Sequence, residues 1–332
     1  MRRVVLFPVM ALIVVLGLAL PMTVGAVNGG HSAYLYADQD TQVGYVDVTN
    51  DGTHITVEIV TTDDWYLVET HVAVGLSEMD IPQKNGNPIP GKFADKHCFD
   101  PPDDYDTFTI ALPDGVSDAV VIAVHAEVVK ETSIELVTNG GFEVPELTSS
   151  WGIVPLSDTS LGWSVAPTNP PWDEGQPQGL ELQRIKTADS GTQYAELDAY
   201  DPVRIWQEIG PCESGLYSLR YAWSPRPGVA QNEMEVYWNG DQIATHSASG
   251  SGNSDTVWTQ ETCAFISGPS DSGFTIEFRE IGPHDQLGMF LDSVSVVCVE
   301  EETAWAGTEV GETPFSGANW ATCFTYELAL VD

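Results

Sequence analysis

Apolar and polar residues alternate with a period of two along most of this chain, and helical periodicity is nearly absent. In His54-Ile55-Thr56-Val57-Glu58-Ile59 the alternation puts Ile55, Val57 and Ile59 on one face of a strand. Residues 66–76 and 106–112 alternate again, and 119–129 is nearly continuous apolar sequence, as for a strand covered on both faces. Between them, Asn85-Gly86-Asn87-Pro88-Ile89-Pro90-Gly91 reads as a turn-rich loop. A second series opens with Leu136-Val137-Thr138-Asn139-Gly140-Gly141-Phe142-Glu143, a strand running into a glycine turn. Strands are then predicted over 194–197, 205–209, 217–223, 233–238, 274–278 and 290–299. Pro225-Arg226-Pro227-Gly228 marks a loop, and Asn239-Gly240 is the strongest hairpin cue in the chain. Strands spaced by roughly ten residues predict an all-β chain built as sandwiches or jelly rolls.

The two ends change the picture. Arg2 and Arg3 precede an apolar run over 4–20, and Val24-Gly25-Ala26 then offers small residues for cleavage. This is the layout of a secretory signal peptide, 1–26, with an uncleaved anchor as its rival. The run is slightly short for a span, and no second run of spanning length follows. The expectation is a secreted or cell-surface protein with no membrane span after cleavage. At the other end, 300–332 carries one strand, over 320–330, and is too small to bury a core alone. We therefore expect a split outer β-sandwich, 27–132 plus 300–332, into which 133–299 is inserted. The alternative is two domains in series, with the tail as an extra edge strand on the second.

Charge narrows the partners. The 332 residues hold 12 Lys and Arg against 49 Asp and Glu, a net charge of -37. Such a chain has no means to neutralise phosphates, which excludes nucleic acid, and an anionic membrane surface repels it. A solvated acidic surface explains the charge; cation binding is the functional alternative. The five cysteines, Cys98, Cys212, Cys263, Cys298 and Cys323, show no zinc-type spacing. After export they read as bridges with at least one left over. Connectivity does not follow from sequence. Membership of the same expected domain suggests Cys98 with Cys323 and Cys212 with Cys263, leaving Cys298 spare.

Residues 133–299 resemble the extracellular galactose-binding-like jelly rolls, in particular DUF642 and choice-of-anchor type modules, and more distantly carbohydrate-binding modules. The resemblance rests on Asn139-Gly140-Gly141-Phe142-Glu143, Gly162-Trp163, Gln193-Tyr194-Ala195-Glu196-Leu197-Asp198 and Ile205-Trp206-Gln207. It continues through Tyr217-Ser218-Leu219, Ser224-Pro225-Arg226-Pro227, Val236-Tyr237-Trp238-Asn239-Gly240 and Phe290-Leu291-Asp292-Ser293-Val294-Ser295-Val296. These cover about half the chain in order. The flanking segments resemble a repeat-like β domain of secreted prokaryotic proteins that has no established activity. The matching stretches are Glu69-Thr70-His71, Pro88-Ile89-Pro90-Gly91-Lys92-Phe93, Lys96-His97 and the strand through His125, then Glu302-Thr303-Ala304-Trp305 and Asn319-Trp320-Ala321-Thr322. In the domains it resembles, the last two follow the His125 strand directly. Their displacement to the end is a second argument for insertion.

The jelly-roll resemblance implies a structural Ca²⁺ tying the first strand to the last, with Glu143 and Asp292 as ligands and Glu196 or Asp198 nearby. Sugar recognition is the second candidate, because aromatic rings stack on pyranose faces. Trp163, Trp206 and Trp238 sit inside strand motifs and read as core. Trp151 and Trp172 lie in Pro- and Gly-rich sequence, so they, with Glu174, Arg184 and Arg226, form the expected ligand face. The third is a histidine set, His71, His97 and His125. Glu69 with His71, and His125 with Glu127, share strand faces by period-two arithmetic, which suits a transition metal or a proton as well as structural hydrogen bonding. No nucleophile elbow, His-Glu-x-x-His, phosphate loop or dinucleotide fingerprint is present. The sequence therefore reads as a secreted, non-catalytic binding protein for extracellular or cell-surface polysaccharide. A structural cell-envelope or matrix protein is the alternative, and an extracellular glycoside hydrolase ranks below both.

Overall fold

The computed structural model describes residues 32–309 and 315–328, so the expected signal peptide lies outside the described residues. The chain divides into two compact units. Of the described residues, one unit holds 132–299 and the other holds 32–131 with 300–309 and 315–328. Both are antiparallel β-structures.

The 132–299 unit is a jelly-roll sandwich. One sheet runs in the order Trp151–Pro155, Gly179–Gln183, Tyr194–Glu196, the 290–299 part of Phe290–Gly307, Leu216–Ser224 and Thr259–Ser267. The other runs Ser164–Pro167, Val203–Ile209, Phe274–Glu280, Asn232–Trp238 and Asp241–Ala248. Period-two alternation sends Leu182, Leu219, Tyr221 and Val296 from the first sheet against Ile205, Val236, Ile276 and Phe278 from the second. Burying each such side chain contributes about 1.5–3 kcal/mol. Asn239 and Gly240 both adopt positive φ, 51° and 84°, the backbone a two-residue hairpin turn demands. That turn joins Asn232–Trp238 to Asp241–Ala248. Five strands escaped the alternation pattern: Trp151–Pro155, Ser164–Pro167, Gly179–Gln183, Asp241–Ala248 and Thr259–Ser267. The first three are short and set among Gly and Pro, which blunts the signal.

The disulfide differs from expectation. Cys212 bonds Cys298, not Cys263. Cys298 lies opposite Tyr217 in the sheet, and the Tyr217 hydroxyl accepts the Cys212 backbone N–H at 2.8 Å, so the loop before Leu216–Ser224 folds onto Cys298. Cys263 stays a thiol on Thr259–Ser267, its pKa pushed up to about 11 by burial. Cys98 is an exposed free thiol, so the expected Cys98–Cys323 bridge is absent as well; Cys323 is buried.

In the second unit one sheet runs from the 304–307 end of Phe290–Gly307 through Ala33–Ala37, Thr41–Asn50 and His54–Thr61 to Tyr105–Ala111. The other runs Phe324–Glu327, Ala119–Glu135, Trp65–Gly75 and Asp95–Asp103. Leu35, Val46, Val57 and Ile59 from the first sheet share a core with Leu67, Val72, Val124 and Val128 from the second. Of the strand expected over 320–330, the described part forms Phe324–Glu327, which pairs with 119–122, and 329–330 lie outside the described residues. Ala73 and Ala123, with alternate parity to Val72 and Val124, join a separate cluster with Phe93, Trp305 and Phe315.

Candidate functional site

Alternation along Leu180-Glu181-Leu182-Gln183 sends both leucines into the jelly-roll core and both polar side chains to the opposite face of the sheet. There they floor an open cleft of about 180 Å³, lined by Trp151, Glu181, Gln183, Ile185, Ala199, Tyr200, Arg226 and Gln286. Trp151 is 44% exposed. Glu181 stands directly across from Glu196 on the neighbouring strand. Gln183 Nε2 donates to Glu181 Oε1 at 2.7 Å and to Glu196 Oε2 at 3.4 Å. Arg226 Nη1 lies 2.8 Å from Glu196 Oε1, which also accepts the Gly288 N–H at 2.6 Å. Burial raises the pKa of both carboxyls, Glu196 well above the usual range, while Arg226 pulls each back. Two carboxyls this close disfavour each other's ionisation, which adds to the effect of burial on Glu196. The floor is thus a dense array of donors and acceptors beside exposed aromatic surface.

Of the expected ligand face, Trp151 and Arg226 line this cleft and the other three do not. Trp172 is partly buried and packs against the sandwich core. Glu174 is exposed, and Arg184 Nη1 donates to the Leu147 carbonyl at 2.9 Å. Glu181, Gln183, Tyr200 and Gln286 were missed. The Leu-Glu-Leu-Gln alternation is a signal that could have found the first two; the loop residues carried none.

The four carboxylates expected around calcium fall into separate groups. Glu143 accepts the Thr192 and Gln193 N–H groups at 2.7 and 3.0 Å and the Thr192 hydroxyl at 2.8 Å. Asp292 accepts the Asp189 and Ser190 N–H groups at 3.0 and 3.1 Å and the Ser293 N–H at 2.7 Å. Both therefore grip the 189–193 loop, one from each end of the module's sequence. Glu143 and Asp292 are thus each satisfied by N–H and hydroxyl donors of that loop. Glu196 lies in the cleft floor instead, its Oε1 taken by Arg226 and the Gly288 N–H. Asp198 belongs to yet another loop, its Oδ2 accepting the Asp285 and Gln286 N–H groups at 3.0 Å each.

The histidines also separate. Register pairs His71 with His125 and Glu69 with Glu127 across adjacent strands. His71 Nδ1 lies 3.2 Å from His125 Nδ1, and His71 Nε2 lies 3.0 Å from Glu69 Oε1. His71 Nε2–H donating to Glu69 leaves its Nδ1 to accept from His125 Nδ1–H, so both rings are neutral and satisfied. Burial lowers the pKa of both, His125 to about 3. His97 sits opposite Thr70, one residue out of parity with His71, and so on the other face. Its Nδ1 pairs with Asp106 Oδ1 at 2.8 Å and its ring stacks on Phe108. Three histidines at one centre is thus corrected to a buried pair plus a separate His–Asp contact. Among the described residues, one group of three or more His, Cys, Asp or Glu side chains converges closely enough to hold an ion, and it is elsewhere: Asp173, Asp201 and His284.

No family model matches this chain, and no curated protein matches it. Solved structures do show similarity. A carbohydrate-binding module, TmCBM61 in complex with β-1,4-galactotriose, is 17% identical over 49% of this chain and 98% of its own, with a TM-score of 0.29. The CBM22-1 xylan-binding domain of Paenibacillus barcinonensis Xyn10C is 13% identical over 42% and 86%, with a TM-score of 0.26. The K3 cleaved adhesin domain of Lys-gingipain from Porphyromonas gingivalis is 14% identical over 50% and 99%, with a TM-score of 0.27.

Proposed function

We propose that this protein is exported and holds a polysaccharide chain in the jelly-roll cleft without cleaving it. The observation that carries the reading is the exposed Trp151 indole beside a floor of buried hydrogen-bonding groups, Glu181, Gln183 and Glu196 with Arg226. A sugar ring offers an apolar face to an indole and hydroxyls to such a floor. The same floor argues against glycoside hydrolysis. Paired catalytic carboxyls stand about 5–9.5 Å apart so that sugar or water fits between them. Glu181 and Glu196 are instead spanned by a single Gln183 amide nitrogen, and Glu196 is also paired with Arg226.

The test is retention on gels carrying a panel of soluble polysaccharides. At least one polymer should retard the wild type, and Trp151→Ala should weaken that retardation about tenfold, ~1.4 kcal/mol. Retardation unchanged in Trp151→Ala removes the cleft as the binding site. Calcium belongs to the same proposal as a brace: Glu143 and Asp292 would hold it against the 189–193 loop, closing the module and leaving the cleft chemistry untouched. The nesting of 133–299 within the flanking sequence is likewise proposed, supported by the pairing of 324–327 with 119–122.

A further inference from the structure

Three loops of the jelly-roll unit, distant in sequence, bring Asp173, Asp201 and His284 together, with ligand atoms all within 4.8 Å of one another. His284 Nε2 lies 3.7 Å from Asp173 Oδ2 and its N–H donates to the Tyr200 carbonyl oxygen at 2.7 Å, a proton that a bound ion would displace. Asp201 is buried, and its carboxylate accepts the Asp173 N–H at 3.1 and 3.3 Å, fixing the loop that presents the Asp173 side chain. Donors bound to one cation at about 2.0–2.2 Å lie about 3–4 Å from each other, so this spacing needs little contraction to close around an ion.

A second observation comes from Asp198. It is fully buried and its Oδ1 has no hydrogen-bond partner, although Oδ2 is held by the backbone of residues 285 and 286, directly after His284. Asp198 and His284 act on each other electrostatically. A buried carboxylate oxygen without a donor is destabilising and calls for a positive partner. We propose that Asp173, Asp201, His284 and the Tyr200 carbonyl form a binding site for a zinc-type divalent cation, with the buried Asp198 fixing the backbone just after His284. The imidazole decides the class: oxygen-only sets suit Ca²⁺, whereas one nitrogen among carboxylates and a carbonyl suits Zn²⁺. The site is distinct from the Glu143 and Asp292 pair. Ala199, Tyr200 and Gln286 of the same loops line the cleft, so the ion would brace that side of it. Metal binding itself does not rest on the glycan reading.

The experiment is calorimetric titration of the chelator-stripped full chain with Zn²⁺ alone, in 0.15 M salt and a millimolar background of Ca²⁺ that saturates oxygen-only sites. The wild type should take up Zn²⁺ at a site that His284→Gln and Asp173→Asn each weaken at least tenfold. Both side chains are largely exposed, so folding is not at risk in either variant. Ca²⁺ uptake by the stripped variants should match the wild type. Equal Zn²⁺ uptake by wild type and both variants, or no uptake by the wild type at 100 µM, overturns the proposal.

Discussion

Trp151 and Trp172 lie in the same kind of Pro- and Gly-rich sequence, yet their side chains do opposite things. Trp151 presents an exposed ring at the cleft, while Trp172 packs against the sandwich core. Trp172→Ala should therefore leave polysaccharide retention near the wild-type level and lower the unit's stability by about 2–4 kcal/mol, read by denaturant unfolding. Loss of retention with stability intact would reverse the assignment. Sequence pattern does not separate the two rings, because neither sits in a clear periodicity. At His71 and His125 more was legible. Parity puts Glu69 beside His71 and His125 beside Glu127, but only the strand register brings the imidazoles within 3.2 Å and sends His97 to the other face. The pair makes a pH prediction. His125 has its pKa lowered to about 3 from 6.5, first by burial and then by His71, so the unfolded chain binds the proton more readily. Its contribution is complete above pH 6.5 and is lost as pH falls toward 3. Melting temperature should drop over that window, by an amount corresponding to a few kcal/mol at most, and the slope should be shallower in His125→Leu. Equal slopes in the two proteins would contradict the hydrogen-bonded neutral pair.

At the scale of elements, the strands readable from the sequence are those with a long alternation, such as His54–Thr61 and Phe274–Glu280. The cleft floor was only partly readable: Gly179–Gln183 carries one Leu-Glu-Leu-Gln alternation, but it is short and set among Gly and Pro, which blunts the signal. The disulfide belongs to this scale too. Domain membership cannot choose among three cysteines of one unit; sheet register does, by placing Cys298 opposite Tyr217. The Cys212–Cys298 bond closes a separation of 86 residues, worth about 4 kcal/mol in a chain-entropy account. The double variant Cys212→Ala, Cys298→Ala should melt roughly 10 °C lower in its 132–299 transition. An unchanged transition would show that the bond constrains nothing. Calcium predicts a comparable effect by another route. If Glu143 and Asp292 hold it, chelator should lower the same transition and added Ca²⁺ restore it, with Glu143→Gln insensitive to both. A chelator-insensitive wild type would remove the ion.

On the scale of the whole molecule, period-two alternation already made the chain all-β, and the structure is two antiparallel sandwich units. Among the described residues no helix is long and apolar enough to cross a membrane. The charge of -37 gave less than its size suggests: most carboxylates carry no shared chemistry, and the informative ones are among the few that are buried, Glu181, Glu196, Asp198, Asp201 and Asp292. Those few divide between a cleft floor, a loop clamp and the proposed cation cluster, and only folding sorts them. The central claim is binding without bond breaking. It is tested most directly by incubating the protein with a polymer that retains it and measuring bound protein and newly released reducing ends in the same sample. The account predicts saturable binding with no release over the no-protein control. Release that grows with time and enzyme concentration, or no retention on any polymer, would contradict it.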